Sequence, residues 1–133
     1  MQNPIEYFPT SEARASLAAL FGLVYEDKTQ DWEWEVAAPD RFEEFLHGYS
    51  SLSLSDAERF SLMEVLLQCI EDSETPQLVV DRWAKLEPHL VKNIRLHRQT
   101  VEYWSCAGAA EQEGQFRITP LVRHQLSLAS ARE

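Results

Sequence analysis

A chain of 133 residues with 44% apolar and 26% charged residues has the size and composition of one folded domain rather than of a disordered segment. Four glycines and six prolines exclude collagen-like and linker sequences and argue against a turn-dense β-sandwich. The formal charge of −10 disfavours a general binder of nucleic acid or of anionic membranes.

Thr10 or Ser11 can cap a first helix, about Ser11 to Tyr25, in which Leu17, Leu20, Phe21 and Val24 recur at i, i+3, i+4 and i+7. From Glu26 to Pro39 no helical period is visible. The alternation Asp31-Trp32-Glu33-Trp34-Glu35-Val36 would suit a strand, but no second alternating run is at hand to pair with it, so the stretch reads as an extended loop. Asp40 and Glu43 open a short helix to about Gly48, carrying Phe42, Phe45, Leu46 and Tyr49 on one side.

Ser55 and Glu58 form a capping-box pattern ahead of Phe60, Leu62, Met63, Val65, Leu66, Leu67, Cys69 and Ile70. Only Ser61, Glu64, Gln68 and Glu71 interrupt this run with a narrow polar stripe. A helix apolar over most of its circumference is surrounded by others, so about Asp56 to Asp72 should be the hub. Thr75-Pro76 starts a fourth helix with Leu78, Val79, Trp83 and Leu86 buried, and Pro88 is expected to break or kink it. A fifth runs to about Ser105 with Leu90, Ile94, His97, Val101 and Trp104 on one side, and Gly108 suits its end. Thr119-Pro120 opens a last short helix bearing Leu121, Val122 and Leu126. The expected fold is therefore all-α, a single domain over residues 1–133, with about six helices around the central apolar one.

Compartment follows from what precedes and punctuates these helices. Met1 to Glu6 has no basic region ahead of an apolar one, which argues against a cleaved secretory signal. The longest apolar stretch, Leu17 to Tyr25, contains Gly22 and is far short of the ~20 residues of a membrane span. Cys69 and Cys106 read as unpaired thiols of a cytoplasmic protein.

No catalytic motif stands out. His89 and His97 are about 12 Å apart along a straight helix at ~1.5 Å per residue, too far to share one ion. Glu44-Phe45-Leu46-His47 lacks the second Glu-x-x-His and the further glutamates that a di-iron bundle needs. No Gly-x-Ser-x-Gly or phosphate-binding glycine loop occurs, and the apolar neighbours of Cys69 should keep its thiol inert. No catalytic residue, metal site or cofactor is expected. Glu64 and Glu71, ~10 Å apart by helical rise, read as a solvated face.

Charge is distributed unevenly. Residues 1–75 carry sixteen acids against Arg14, Lys28, Arg41 and Arg59, whereas residues 76–133 carry eight bases against six acids. Lys85, Lys92, Arg95 and Arg98 are best read as neutralising the acidic half of the same molecule. The acid-rich segment with Asp31, Trp32, Glu33, Trp34 and Glu35 is the candidate surface for another protein, and a basic one suits it, because Trp is enriched at interface hot spots and acids steer a basic partner. The opposing reading folds Trp32 and Trp34 onto the bundle.

The function expected is non-catalytic protein binding that neutralises or regulates such a partner. Immunity proteins, which neutralise basic nuclease toxins, exemplify the class; the comparison rests on size and charge, and no family motif carries it further. The alternative is a ligand-binding or enzymatic bundle with a pocket near Arg95, His97, Arg98, Tyr103 and Trp104. A homodimer through the apolar surplus of the hub helix is a third expectation.

Overall fold

The computed structural model of the chain describes residues 9–26, 30–105 and 116–132. These form an all-α bundle of seven α-helices and one 3₁₀ turn, with no strand among the described residues. Cys106, Gly108 and the side chain of Leu126 lie outside the description.

Helix α1, Ser11–Phe21, is capped by Thr10, whose hydroxyl accepts from the Ala13 N–H at 3.1 Å. It stops four residues earlier than its apolar period suggests. Gly22 takes the left-handed conformation (φ 67°), and the Leu23 N–H turns back to the Ala18 carbonyl at 2.8 Å, which closes the helix before Val24 and Tyr25.

The expected loop instead contains a short helix, α2, Trp32–Val36. A 3₁₀ turn, Pro39–Arg41, leads into α3, Phe42–Ser51, which buries Phe42, Phe45, Leu46 and Tyr49 as the spacing predicts. Gly48 lies in α3 where a Cβ would come within 2.5 Å of the Phe21 ring. Phe21 is itself packed edge-on against Phe45, with ring centroids 5.2 Å apart. Gly48→Ala is therefore expected to destabilise by about 1–3 kcal/mol in urea unfolding, reversing the roughly 1 kcal/mol that alanine gains in an open helix. A stabilised variant would show that the ring yields freely.

Helix α4, Asp56–Glu71, has the expected capping box: the Glu58 N–H donates to Ser55 Oγ at 3.1 Å and the Ser55 N–H to Glu58 Oε1 at 2.8 Å. It packs against α1, α2, α3, α5 (Pro76–Lys92) and α6 (Ile94–Trp104), which makes it the hub. Its apolar side chains from Phe60 to Ile70 are buried within the chain.

Pro88 does not break α5. Pro88 and Ala84, whose carbonyl loses its donor, are both exposed, and water can satisfy that group. Leu86 and Leu90 on either side are fully buried, and the helix continues through Pro88 to Lys92. The last helix, α7, Thr119–Arg132, packs on α6 and is longer than expected. No helix of the described residues is long and apolar enough to cross a membrane.

Candidate functional site

The hub helix is covered on most sides, yet not along its polar stripe. Helices α1 and α2 close one flank and α6 the other. Between them lies a cleft of about 790 Å³ whose floor is Phe60, Glu64, Gln68 and Glu71. Glu64, Gln68 and Glu71 are half-buried, and Ser61 is fully buried with its hydroxyl lacking a partner among the described residues. The stripe is thus the lining of a cavity, which corrects its reading as a solvated face.

Helix α2 sets the first wall. In a helix successive residues turn by about 100°, so residues two apart point to nearly opposite sides, whereas in a strand they would share one. Trp32 accordingly packs inward, 1% exposed, its indole Nε1–H donating to the Val24 carbonyl at 2.7 Å, while Trp34 stands 61% exposed at the cleft. Glu33 is also buried. Its two carboxylate oxygens accept from Arg14 Nε at 2.8 Å and Nη2 at 2.7 Å, a bidentate pair joining α2 to α1. That pairing raises the Arg14 pKa still further above the physiological range. The five residues predicted for partner contact therefore divide: Trp34, Asp31 and Glu35 remain exposed, whereas Trp32 and Glu33 belong to the interior.

Aromatic rings form the other wall. Tyr103, Trp104 and Phe116 are in mutual contact, with centroids 5.7 Å (Tyr103 to Trp104), 5.5 Å (Tyr103 to Phe116) and 4.4 Å (Trp104 to Phe116) apart. Tyr103 is 66% exposed, the counterpart of Trp34 across the opening. Thr100 lines the same wall, 4% exposed, and its hydroxyl has no partner among the described residues.

The carboxylates of the cleft differ in what they already do. Glu71 accepts the backbone N–H groups of Arg117 (2.9 Å) and Ile118 (3.1 Å), fastening the start of α7, while the Arg117 guanidinium returns to the Glu71 and Ser73 carbonyls. Asp72 accepts from the Gln68 amide at 2.9 Å. Glu64 has no hydrogen bond among the described residues. Burial pushes its carboxyl up to about 7; the nearby Glu33 charge adds to this and Arg14 opposes it.

The alternative pocket does not assemble as expected. Tyr103 and Trp104 line the cleft, but Arg95, His97 and Arg98 do not. His97 faces α3, fully buried, where its Nε2 shares a 2.7 Å hydrogen bond with the Tyr49 hydroxyl. Burial, aided by the Arg59 charge, lowers its pKa to about 4 and keeps it neutral, while burial raises Tyr49 to about 12.

Of the basic cluster, Lys85 pairs with Glu43, in line with internal neutralisation; Lys92 and Arg95 form no ion pair among the described residues. Cys69 is a buried, unpaired thiol raised to about 12 by burial, a poor nucleophile. Among the described residues no three His, Cys, Asp or Glu side chains group so as to hold a metal ion.

Nothing local in the sequence singles out Glu64, Thr100 or Arg14 for the cleft, because their neighbours in space lie on other helices. Compared with models of protein families, with curated proteins and with solved structures, the chain matches none.

Proposed function

We propose that the chain is a non-catalytic cytoplasmic protein that binds and neutralises or regulates a basic partner protein, with Trp34 and the rim acids Asp31 and Glu35 as the contact. One observation carries this reading: α2 buries Trp32 yet holds the Trp34 indole in solvent at the mouth of a cleft lined, among the described residues, by Asp31, Glu33, Glu64, Glu71 and Asp72 against Arg14 as the only Lys or Arg. An exposed Trp beside a negative cavity suits an anchor of the kind found at interface hot spots, with acids that speed encounter with a cation-rich surface.

Capture from the source cell on immobilised protein, followed by mass spectrometry, tests it. A basic protein should be retained at low salt, be released as salt is raised through ~0.1 M and above, and be lost from Trp34→Ala. Retention that ignores both salt and Trp34 would remove this surface from consideration.

A second reading, small-ligand binding, draws support from the cleft volume of about 790 Å³, within the range of ligand sites at roughly 300–1,000 Å³.

A further inference from the structure

We infer that the cleft is a receptor for one protonated primary amine, presented as a lysine side chain of the basic partner, with Glu64 as counter-ion and the Trp34 and Tyr103 rings beside it. This rests on the protein-binding reading above and specifies its chemistry.

Most acids of the cleft are already committed. Glu33 is committed to Arg14 in a bidentate pair, Glu71 to the backbone at the start of α7, and Asp72 to the Gln68 amide. Asp31 lies at the exposed rim. Glu64 alone sits half-buried on the floor without a hydrogen bond among the described residues. A carboxylate withdrawn from water and left unpaired is unfavourable, and a cation entering the cleft would remove that cost.

A second observation is independent of charge. Thr100, on the opposite helix, keeps a hydroxyl that is buried at the cleft wall and unpartnered. Buried hydroxyls are ordinarily satisfied, and a turn of the Thr100 side chain about χ1 would bring this one to an ammonium N–H. The two exposed rings supply π faces, which attract a cation within about 6 Å.

The donor set favours ammonium over other cations. One available carboxylate, one hydroxyl and ring faces match a compact charge with three donors. A guanidinium brings five donors in a planar fork, more than one carboxylate and one hydroxyl satisfy. A divalent metal requires several oxygen ligands, and a single uncommitted carboxylate does not provide them.

Pairing requires Glu64 to be ionised, so binding should strengthen with pH. The charged groups facing Glu64 are Arg14 from α1 and Glu33 from α2. From α6, Gln99, Thr100 and Tyr103 line the cleft.

The test is NMR titration of the whole chain with Nα-acetyl-lysine methylamide, and with its norleucine analogue as the uncharged control. At about pH 8 the lysine probe should give saturable shifts at the Thr100 amide and the Trp34 indole, with an affinity in the region of ~1 mM. About tenfold weaker binding is expected at about pH 6, where Glu64 is mostly protonated. Glu64→Gln, folded by circular dichroism, should lose at least about tenfold in affinity at the higher pH, and norleucine should give no shifts. Equal binding by norleucine or by Glu64→Gln, or no saturable shift, would overturn the amine site.

The captured partner separates the two levels. If Trp34→Ala loses it and Glu64→Gln keeps it, the protein-binding reading stands and the lysine receptor falls. If no partner is captured while the lysine probe binds through Glu64, the amine site stands with a free amine as its source, and the protein-binding reading falls.

Discussion

Replacing Arg14 by methionine should cost about 3–5 kcal/mol of unfolding free energy, the largest single effect expected at the cleft. Arg14 and Glu33 side chains are only 14% and 6% exposed, and their bidentate contact joins α1 to α2. Removing the guanidinium leaves the Glu33 carboxylate buried without its counter-charge, which is far more costly than the net value of the pair. The Gln30 carbonyl, which accepts from Arg14 Nη2 at 2.9 Å, loses its donor as well. A double variant, Arg14→Met with Glu33→Met, should recover most of the loss, because the buried charge goes with its partner. Urea unfolding of the three variants measures this; a single-variant cost below about 1 kcal/mol would place the pair among surface ion pairs. Arg14 also opposes the upward shift of Glu64, so its removal should drive that carboxyl higher still.

Glu64→Gln should act in the opposite direction, and only where the pH is high enough. In the folded chain the Glu64 carboxyl is raised from 4.5 to about 7, so the folded state holds a proton that the unfolded state releases. Its contribution is most favourable below 4.5, declines as pH rises toward about 7, and becomes a full penalty above that. At about pH 8 the glutamine variant should therefore be the more stable by roughly 2–3 kcal/mol, allowing for the water still in contact with the side chain.

His97 has the reverse slope. Its folded pKa is lowered from 6.5 to about 4, so its contribution is complete above 6.5 and is lost as pH falls toward about 4. Between 4.5 and 6.5 the two slopes nearly offset each other in the parent chain. Glu64→Gln uncovers the histidine alone, and its stability should fall steadily on acidification through that window. Melting temperatures across the range decide this: a profile parallel to the parent would mean that Glu64 titrates as an ordinary surface acid.

What could be read from the sequence was what local chemistry dictates. The capping box of Ser55 and Glu58 fixes the start of α4, and its near-continuous apolar run fixes its place at the centre. Thr10 and Thr75 cap their helices for the same local reason. Legibility ended wherever a distant residue decides the outcome. Five residues from Trp32 to Val36 alternate like a strand, but the Val24 carbonyl and the Arg14 guanidinium select a helix by satisfying Trp32 and Glu33 at once. Pro88 looks like a break until Leu86 and Leu90 are seen clamped in the core. The stripe Glu64-Gln68-Glu71 has the period of a wet face, and only the placement of α2 and α6 turns it into a cavity.

Two carboxylates at opposite ends of α4 tie it to the first and last helices of the described chain. Glu58 accepts the Ser16 hydroxyl of α1 near one end, and Glu71 fastens the start of α7 at the other. The separation is about 20 Å at ~1.5 Å per residue. Tension applied between α1 and α7 would thus run lengthwise through the most deeply packed rod of the molecule. Mechanically, the connecting loops are bypassed, and the hub serves as the tie-bar of the bundle.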